Sequence, residues 1–359
     1  MNRDFNFGAG PSMLPLPVLE KVQKELLCYP GEKCSVLEMS HRAPAFMEII
    51  SKAEADLRTL LAVPDSYAVL FLQGGASMQF SMIPMNLMPR GGTAAYADTG
   101  VFAKKAAEEA SRWGDAVIVA SSADKSYSYI PSITQQSIPK DAAYLHICGN
   151  NTIFGTQFNT LPAVDLPLVV DLSSSLMGQL YNVEDCGLIY AGTQKNMGIA
   201  GLTIVIIRRD LLKELPEEIP SMLNYKLLAE HGSMYNTPPC FSIYLSGLVF
   251  EYTLAQGGVA EMERRNKEKA ALLYDVLDAS KFYTHKVRAQ DRSIMNVTFF
   301  LPDEAFTAAF LKGAQQKGLS GLKGHRDAGG IRASLYNAMT YEGVSALADY
   351  MKAFETENR

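Results

Sequence analysis

The sequence predicts an α/β fold: a large, doubly wound, mostly parallel sheet with a smaller α+β domain after it. Short runs rich in Val, Ile and Leu recur through the first two-thirds of the chain, each flanked by polar or turn residues. Continuous apolar runs of that length suit parallel strands covered on both faces. Helix-like stretches separate them, and regular alternation of this kind implies a doubly wound sheet. The last third changes character and reads strand, helix, strand, helix.

Taken in order, 67–72 is an apolar run that ends in Gly74-Gly75 and passes into a helix-like stretch over 79–87. The runs 116–120, 143–147 and 168–170 predict further strands, and Ile189-Tyr190-Ala191 another. The run 202–207 predicts one more, and Pro216 and Pro220 with the acids between them mark a surface loop. A helix over 241–256 stops at Gly257-Gly258, a plausible C-cap. The long charged and apolar helix over 259–279 then carries the chain out of the large domain. Strand 294–301, helix 303–317, strand 331–335 and helix 341–354 complete the smaller one. The predicted division is a large domain over 16–258 and a small domain made of 1–15 and 259–359.

Composition narrows the function classes. A formal net charge of −5 speaks against a broad nucleic-acid surface, which needs a basic face. Five scattered cysteines with no C-x-x-C pair read as reduced thiols of a cytoplasmic protein. The five histidines show no ligand spacing, so no metal is expected. Met1-Asn2-Arg3-Asp4-Phe5 has no basic stretch before an apolar core, so no signal peptide is read there. No run is long enough to span a bilayer, and no membrane partner is expected.

Two strand ends carry the chemistry. Leu168-Val169-Val170-Asp171 places an acid where ligands bind in open α/β sheets, beyond the carboxyl ends of the strands. Ile189-Tyr190-Ala191-Gly192-Thr193-Gln194-Lys195-Asn196 runs from a strand into small and polar residues and then a lysine. Either residue alone has an ordinary explanation, a helix cap or a solvated charge. Together they suit pyridoxal 5'-phosphate (PLP). An aldehyde cofactor needs a partly desolvated amine as nucleophile, and its pyridine nitrogen needs a carboxylate that keeps it protonated. Gln73-Gly74-Gly75-Ala76-Ser77 is a strand-to-helix turn of small residues, suited to a phosphate at a helix N-terminus. It lacks both the Walker lysine and G-x-G-x-x-G. His41-Arg42 and His325-Arg326 lie in turn-like contexts, and arginine is the natural fork for a carboxylate or phosphate.

Over essentially its whole length the sequence resembles the phosphoserine aminotransferase family, within the class V, fold-type I PLP enzymes. The resemblance begins at Phe5-Asn6-Phe7-Gly8-Ala9-Gly10-Pro11 and continues through Ser40-His41-Arg42. It is densest at Tyr190-Ala191-Gly192-Thr193-Gln194-Lys195-Asn196. It then runs through Gly232-Ser233-Met234-Tyr235-Asn236-Thr237-Pro238-Pro239 and Gly257-Gly258-Val259, and ends with Leu322-Lys323-Gly324-His325-Arg326 and Gly330-Ile331-Arg332-Ala333-Ser334.

The resemblance implies a Schiff-base role for Lys195 and pairing of Asp171 with the pyridine nitrogen. Ala76 and Ser77 would bind the cofactor phosphate with Gln194, and Thr152 the ring hydroxyl. Asn236 and Thr237 would reach that phosphate from the neighbouring subunit of a homodimer. Arg42, with His41 beside it, would take the α-carboxylate of glutamate, while His325 and Arg326 would hold the substrate's phosphate or glutamate's distal carboxylate. Phe102 stands where a tryptophan often stacks on the ring, and Ser77 where some members carry an arginine. The implied reaction moves the amino group of L-glutamate to 3-phosphohydroxypyruvate, in serine biosynthesis, with a phosphorylated hydroxythreonine of pyridoxine biosynthesis as a second product. Other class V enzymes and a non-catalytic phosphate-binding protein on the same scaffold are the competing readings.

Overall fold

The computed structural model describes residues 3–358; Met1, Asn2 and Arg359 lie outside it, as do the first two residues read for a signal peptide and the outermost ends of the predicted small domain. In chain order the elements are β1 (Phe5–Asn6), α1 (Leu16–Glu25), α2 (Pro44–Leu61), β2 (Tyr67–Leu72), α3 (Gly75–Leu87), β3 (Thr93–Asp98), α4 (Val101–Ala110), β4 (Asp115–Ser121), β5 (Ala142–Cys148), β6 (Asn150–Asn151), β7 (Thr156–Gln157), β8 (Leu168–Asp171), β9 (Leu188–Gly192), β10 (Thr203–Arg208), α5 (Tyr225–Glu230), α6 (Cys240–Ala255), α7 (Gly258–Ala279), β11 (Asn296–Phe299), α8 (Glu304–Gln316), β12 (Leu319–Ser320), β13 (Ile331–Ser334) and α9 (Tyr341–Asn358). Among the described residues, no helix is long and apolar enough to cross a membrane.

Seven strands form the central sheet in the order β2-β10-β9-β8-β5-β3-β4. The neighbours from β9 to β4 pair in parallel, whereas β10 is antiparallel to both β2 and β9. The run 202–207 is therefore a strand as expected, but of reversed sense. Its reversal follows from the link: only residues 193–202 separate β9 from β10, and a parallel return needs a crossover of about a dozen residues or more. Since β2 and β9 both oppose β10, β2 shares the sense of the parallel group. The carboxyl ends of β2, β3, β5, β8 and β9 consequently open along one edge.

Two expectations need correction. Strand β4 is not covered on both faces: it is an edge strand, with Val117 37% and Ile118 46% exposed. Strand β3, Thr-Ala-Ala-Tyr-Ala-Asp, escaped the apolar-run criterion because alanine has little strand signal. Its small residues are fully buried and let the alanines of α4 (Ala103, Ala106, Ala110) close on the sheet.

Beyond α6 a second core gathers around α7, α8 and α9, with Phe299, Phe310, Leu347 and Met351 at its centre. Antiparallel β11 and β13 line it. The N-terminal segment joins it as well, through β1 paired in parallel to β12 and through the fully buried Phe7.

Candidate functional site

The common sense of the strands brings the candidate residues to one edge. Gly74 to Ser77 follow β2, Phe102 lies in the first turn of the helix after β3, Thr152 follows β6 just beyond β5, Asp171 ends β8 and Lys195 follows β9. The chain order reverses at β3, which lies between β4 and β5, and the crevice at such a switch point is where open α/β sheets bind ligands.

Lys195 sits in the short link between β9 and β10, and the link is tied at every side. Thr193 closes its base, its N–H donating to the Leu202 carbonyl at 3.1 Å and its hydroxyl to the same carbonyl at 3.2 Å. The N-terminal segment clasps the outside: the Ser12 N–H donates to the Gln194 carbonyl at 3.0 Å, and the Ser12 hydroxyl to the Lys195 carbonyl at 2.5 Å. Lys195 itself is half-buried. Its Nζ donates to Thr152 Oγ1 at 2.7 Å and stands 5.8 Å from the centre of the Phe102 ring.

Asp171 is 6% exposed at the end of the neighbouring strand. Burial raises its pKa above the usual carboxylate range, opposed by Ser173, by the charge of Lys195 and by Tyr190. Its Oδ1 accepts from the Ser173 N–H at 2.9 Å, and it makes no ion pair among the described residues. A buried carboxylate in this position calls for a cation, which a protonated pyridine nitrogen would supply. The turn after β2 suits the other end of such a molecule. Gly74 and Gly75 have φ of +87° and +66°, a left-handed conformation that favours glycine. A Cβ on Gly75 would meet nothing within 4 Å, so the main chain opening α3 is open to approach. Ala76 is half-buried and Ser77 exposed on its first turn. Amine, hydroxyl, carboxylate and helix start together fit PLP.

Two further features of this site lie outside the roles predicted from the sequence. Arg332, on β13, is half-buried and donates from Nη1 to the Thr152 carbonyl at 3.3 Å; burial lowers its pKa. Its other guanidinium N–H groups make no hydrogen bond among the described residues, so it is a cation tied to the residue that accepts from the amine, with donors to spare. The second is a buried amide network at the strand ends. Asn150 Nδ2 donates to Ser174 Oγ at 2.7 Å and to Asn296 Oδ1 at 2.8 Å, while its Oδ1 accepts from Ser293 Oγ at 2.5 Å. Its sequence signal is the polar Asn150-Asn151-Thr152, one glycine past an apolar strand.

The other basic residues are less fixed. Arg42 is exposed and His41 half-buried in the turn before α2, where the Arg42 N–H donates to Ser40 Oγ at 3.3 Å. His325 and Arg326 lie in a tight turn, with the His325 carbonyl accepting from the Gly329 N–H at 2.7 Å. Both side chains stand 3.5 Å from Asp327, and that of Arg326 is 87% exposed. Asp327 and Ala328 border a cavity of about 130 Å³ with Ile153 and Phe154, so this turn adjoins the segment after Thr152. Asn236 and Thr237 are exposed in the loop between α5 and α6. The Thr237 carbonyl lies 3.5 Å from Gln73 Nε2, and Asn236 borders a cavity of about 220 Å³ with Gln73 and Gly74. Gln194 is half-buried beside Lys195.

Known proteins similar to this chain are aminotransferases. The class-V aminotransferase family profile matches residues 4–347. A phosphoserine aminotransferase of Bacillus cereus is 51% identical over 360 residues, spanning 100% of both chains. Among solved structures, phosphoserine aminotransferase from Bacillus circulans subsp. alkalophilus superposes with a TM-score of 0.96 at 43% identity, covering 99% of each chain. PLP-bound phosphoserine aminotransferase from Trichomonas vaginalis superposes with a TM-score of 0.93 at 37% identity, covering 98% of this chain and 100% of the other.

Proposed function

The chain belongs to the class-V aminotransferase family, and on that premise we propose that it catalyses the phosphoserine aminotransferase reaction. L-Glutamate gives its amino group reversibly to 3-phosphohydroxypyruvate, yielding O-phospho-L-serine and 2-oxoglutarate. The observation that carries the reading is the Lys195 amine held at 2.7 Å by Thr152 beside Phe102, one strand from the buried Asp171.

PLP, when bound, supplies the electron sink for the pair left at the substrate α-carbon and carries the amino group between the two half-reactions. The chain's own residues do the rest. Asp171 binds the pyridine nitrogen and keeps its proton in place. The main chain at Ala76 and Ser77, with the Ser77 hydroxyl and Gln194, holds the cofactor phosphate, where the α3 N-terminus favours an anion. Thr152 and Phe102 bound the ring. Lys195 Nζ would carry the proton between the substrate α-carbon and the cofactor C4′, a transfer that needs an amine fixed within hydrogen-bond reach. Arg332 joins Arg42 and His41 in binding the α-carboxylate, because it is the arginine tied to the residue that accepts from the amine. His325 and Arg326 take the substrate phosphate or the distal carboxylate of glutamate.

The proposal extends to a homodimer in which Asn236 and Thr237 complete the partner's phosphate site. It also extends to the domain division at 258/259, to a cytoplasmic setting suited to five free cysteines, and to a second product in pyridoxine biosynthesis. Mixing Lys195→Ala subunits with Asn236→Ala/Thr237→Ala subunits tests the shared site. Activity regained on mixing supports it, and two inactive pools that stay inactive refute it. The reaction itself is tested by single-turnover absorbance of the PLP-loaded protein with O-phospho-L-serine and with L-serine. Much faster loss of the lysine-bound band with phosphoserine is expected. Equal response to both would leave an aminotransferase with a different substrate.

A further inference from the structure

One lysine outside the cleft is buried without a carboxylate. Lys269, on α7, is 3% exposed, and its Nζ donates to three main-chain carbonyls: Leu335 at 2.7 Å, Tyr336 at 2.9 Å and Met339 at 2.9 Å. Three acceptors match the three protons of an ammonium group. Burial works against that charge and pushes the pKa down to about 7. An ammonium group without a counter-ion is expensive to bury, so the segment it holds calls for a reason.

That segment, 335–339, leads from β13, which carries Arg332, to α9. Its Asn337 is a junction. The Asn337 N–H donates to Asn196 Oδ1 at 3.1 Å, next in sequence to Lys195, and its Nδ2 donates to the Met177 carbonyl at 2.9 Å. Its Oδ1 accepts at 2.8 Å from Asn266 Nδ2, which lies on α7 near Lys269 and also donates to the Gly178 carbonyl at 2.9 Å. Asn196 Nδ2 in turn reaches the Ser174 carbonyl at 3.3 Å. The residue after Lys195, the chain following Asp171 and the chain leaving Arg332 therefore meet at one point, and α7 holds that point through Lys269 and Asn266.

We infer that Lys269, acting through the 335–339 segment and Asn196, is a positioning residue that sets where the Lys195 amine stands. The inference rests on Lys195 being the amine that binds PLP. Thr193 and Ser12 fix the main chain of the link, but Asn196 is the side chain in it held by the second core, and Lys269 orders the segment that grips it. Loosening of this kind acts on reaction geometry, where a misplacement of about 1 Å costs on the order of a hundredfold in rate.

The test compares the PLP-loaded parent with Lys269→Met, which keeps the stem and removes the donors, and with the milder Asn266→Ala, which keeps the inference testable if the first variant does not fold. Two readings are taken: the pH midpoint of the lysine-bound absorbance band, and kcat against KM for glutamate. We expect the midpoint to move by about half a pH unit or more, and kcat to fall about tenfold or more with KM within about threefold. KM is spared because Arg332 keeps its own bond to the Thr152 carbonyl. A midpoint and kcat equal to the parent's in both variants, even with a lowered melting temperature, overturn the inference and reduce Lys269 to a structural role. Absence of any lysine-bound band in the parent overturns the reading of Lys195 itself and this inference with it.

Discussion

The link that carries Lys195 and the turn that carries His325 and Arg326 are both short and basic, and the chain treats them oppositely. The first is closed at its base by Thr193, clasped by Ser12 and joined to the second core through Asn196. The second is ordered in its main chain, but among the described residues the His325 and Arg326 side chains reach only Asp327, and that of Arg326 is almost wholly exposed. On the proposed roles, a single chain thus preorganises the groups assigned to the cofactor and leaves the cations assigned to the substrate's distal anion with few ties. The physics suits the tasks. An amine that must take a proton at a defined atom needs fixed geometry, whereas an anion can be captured by charge before it is oriented.

This contrast can be broken at several points. The largest effect is expected for Lys195→Ala: turnover falls by about 10⁴-fold or more, while circular dichroism stays that of the parent. Residual turnover near the parent level would place the chemistry elsewhere. Asp171→Asn comes next, with a loss of about 10²- to 10³-fold in kcat. It also has a signature without PLP. Burial raises the Asp171 pKa, so the folded chain holds that proton more tightly than the unfolded chain. Stability is therefore fullest below the ordinary carboxylate pKa and declines as pH rises from there through the raised value. The PLP-free Asp171→Asn protein should be about 1 kcal/mol more stable than the PLP-free parent at pH 7, and the order should reverse when PLP is added. Thermal melts with and without cofactor decide this.

Arg332→Ala should weaken glutamate binding by about 10- to 100-fold, the loss of charge-assisted hydrogen bonds from a partly desolvated arginine. Arg42→Ala should cost less, because Arg42 is exposed. Half-reaction titrations with glutamate rank the two, and the reverse order would return the main carboxylate contact to Arg42. The smallest effect is expected for His325→Ala/Arg326→Ala. It should reduce the reaction of O-phospho-L-serine by about tenfold while leaving that of L-alanine nearly unchanged, as expected for exposed charges. Equal losses with both amino acids would remove this turn from phosphate recognition.

Much of the scaffold was legible because buried parallel strands write continuous apolar runs. Strands β2, β5 and β8 stand where those runs predicted them, with Asp171 at a strand end and Lys195 just past another. Strand β3 was not legible, since the small side chains of Ala-Ala-Tyr-Ala, which permit close approach of α4, carry little strand propensity. Nor was Arg332, because nothing local distinguishes an arginine on a half-buried strand in the second core from a surface one.

The sequence by itself determined which groups could do the chemistry: a lysine and an acid past apolar strands, a small-residue turn before a helix, and basic pairs in turns. These are local patterns, set by strand burial and turn geometry. Tertiary structure alone decided which of them meet. The brevity of the 193–202 link turns β10 back and leaves Lys195 in a hairpin, beside Thr152, just after β6, and a phenylalanine from α4. The Arg332 side chain reaches from β13 to the Thr152 carbonyl, and α7 reaches across from one core to the other to hold Asn337 against Asn196. Contacts between residues so far apart in sequence depend on how the two cores pack together, and one-dimensional periodicity holds no record of that.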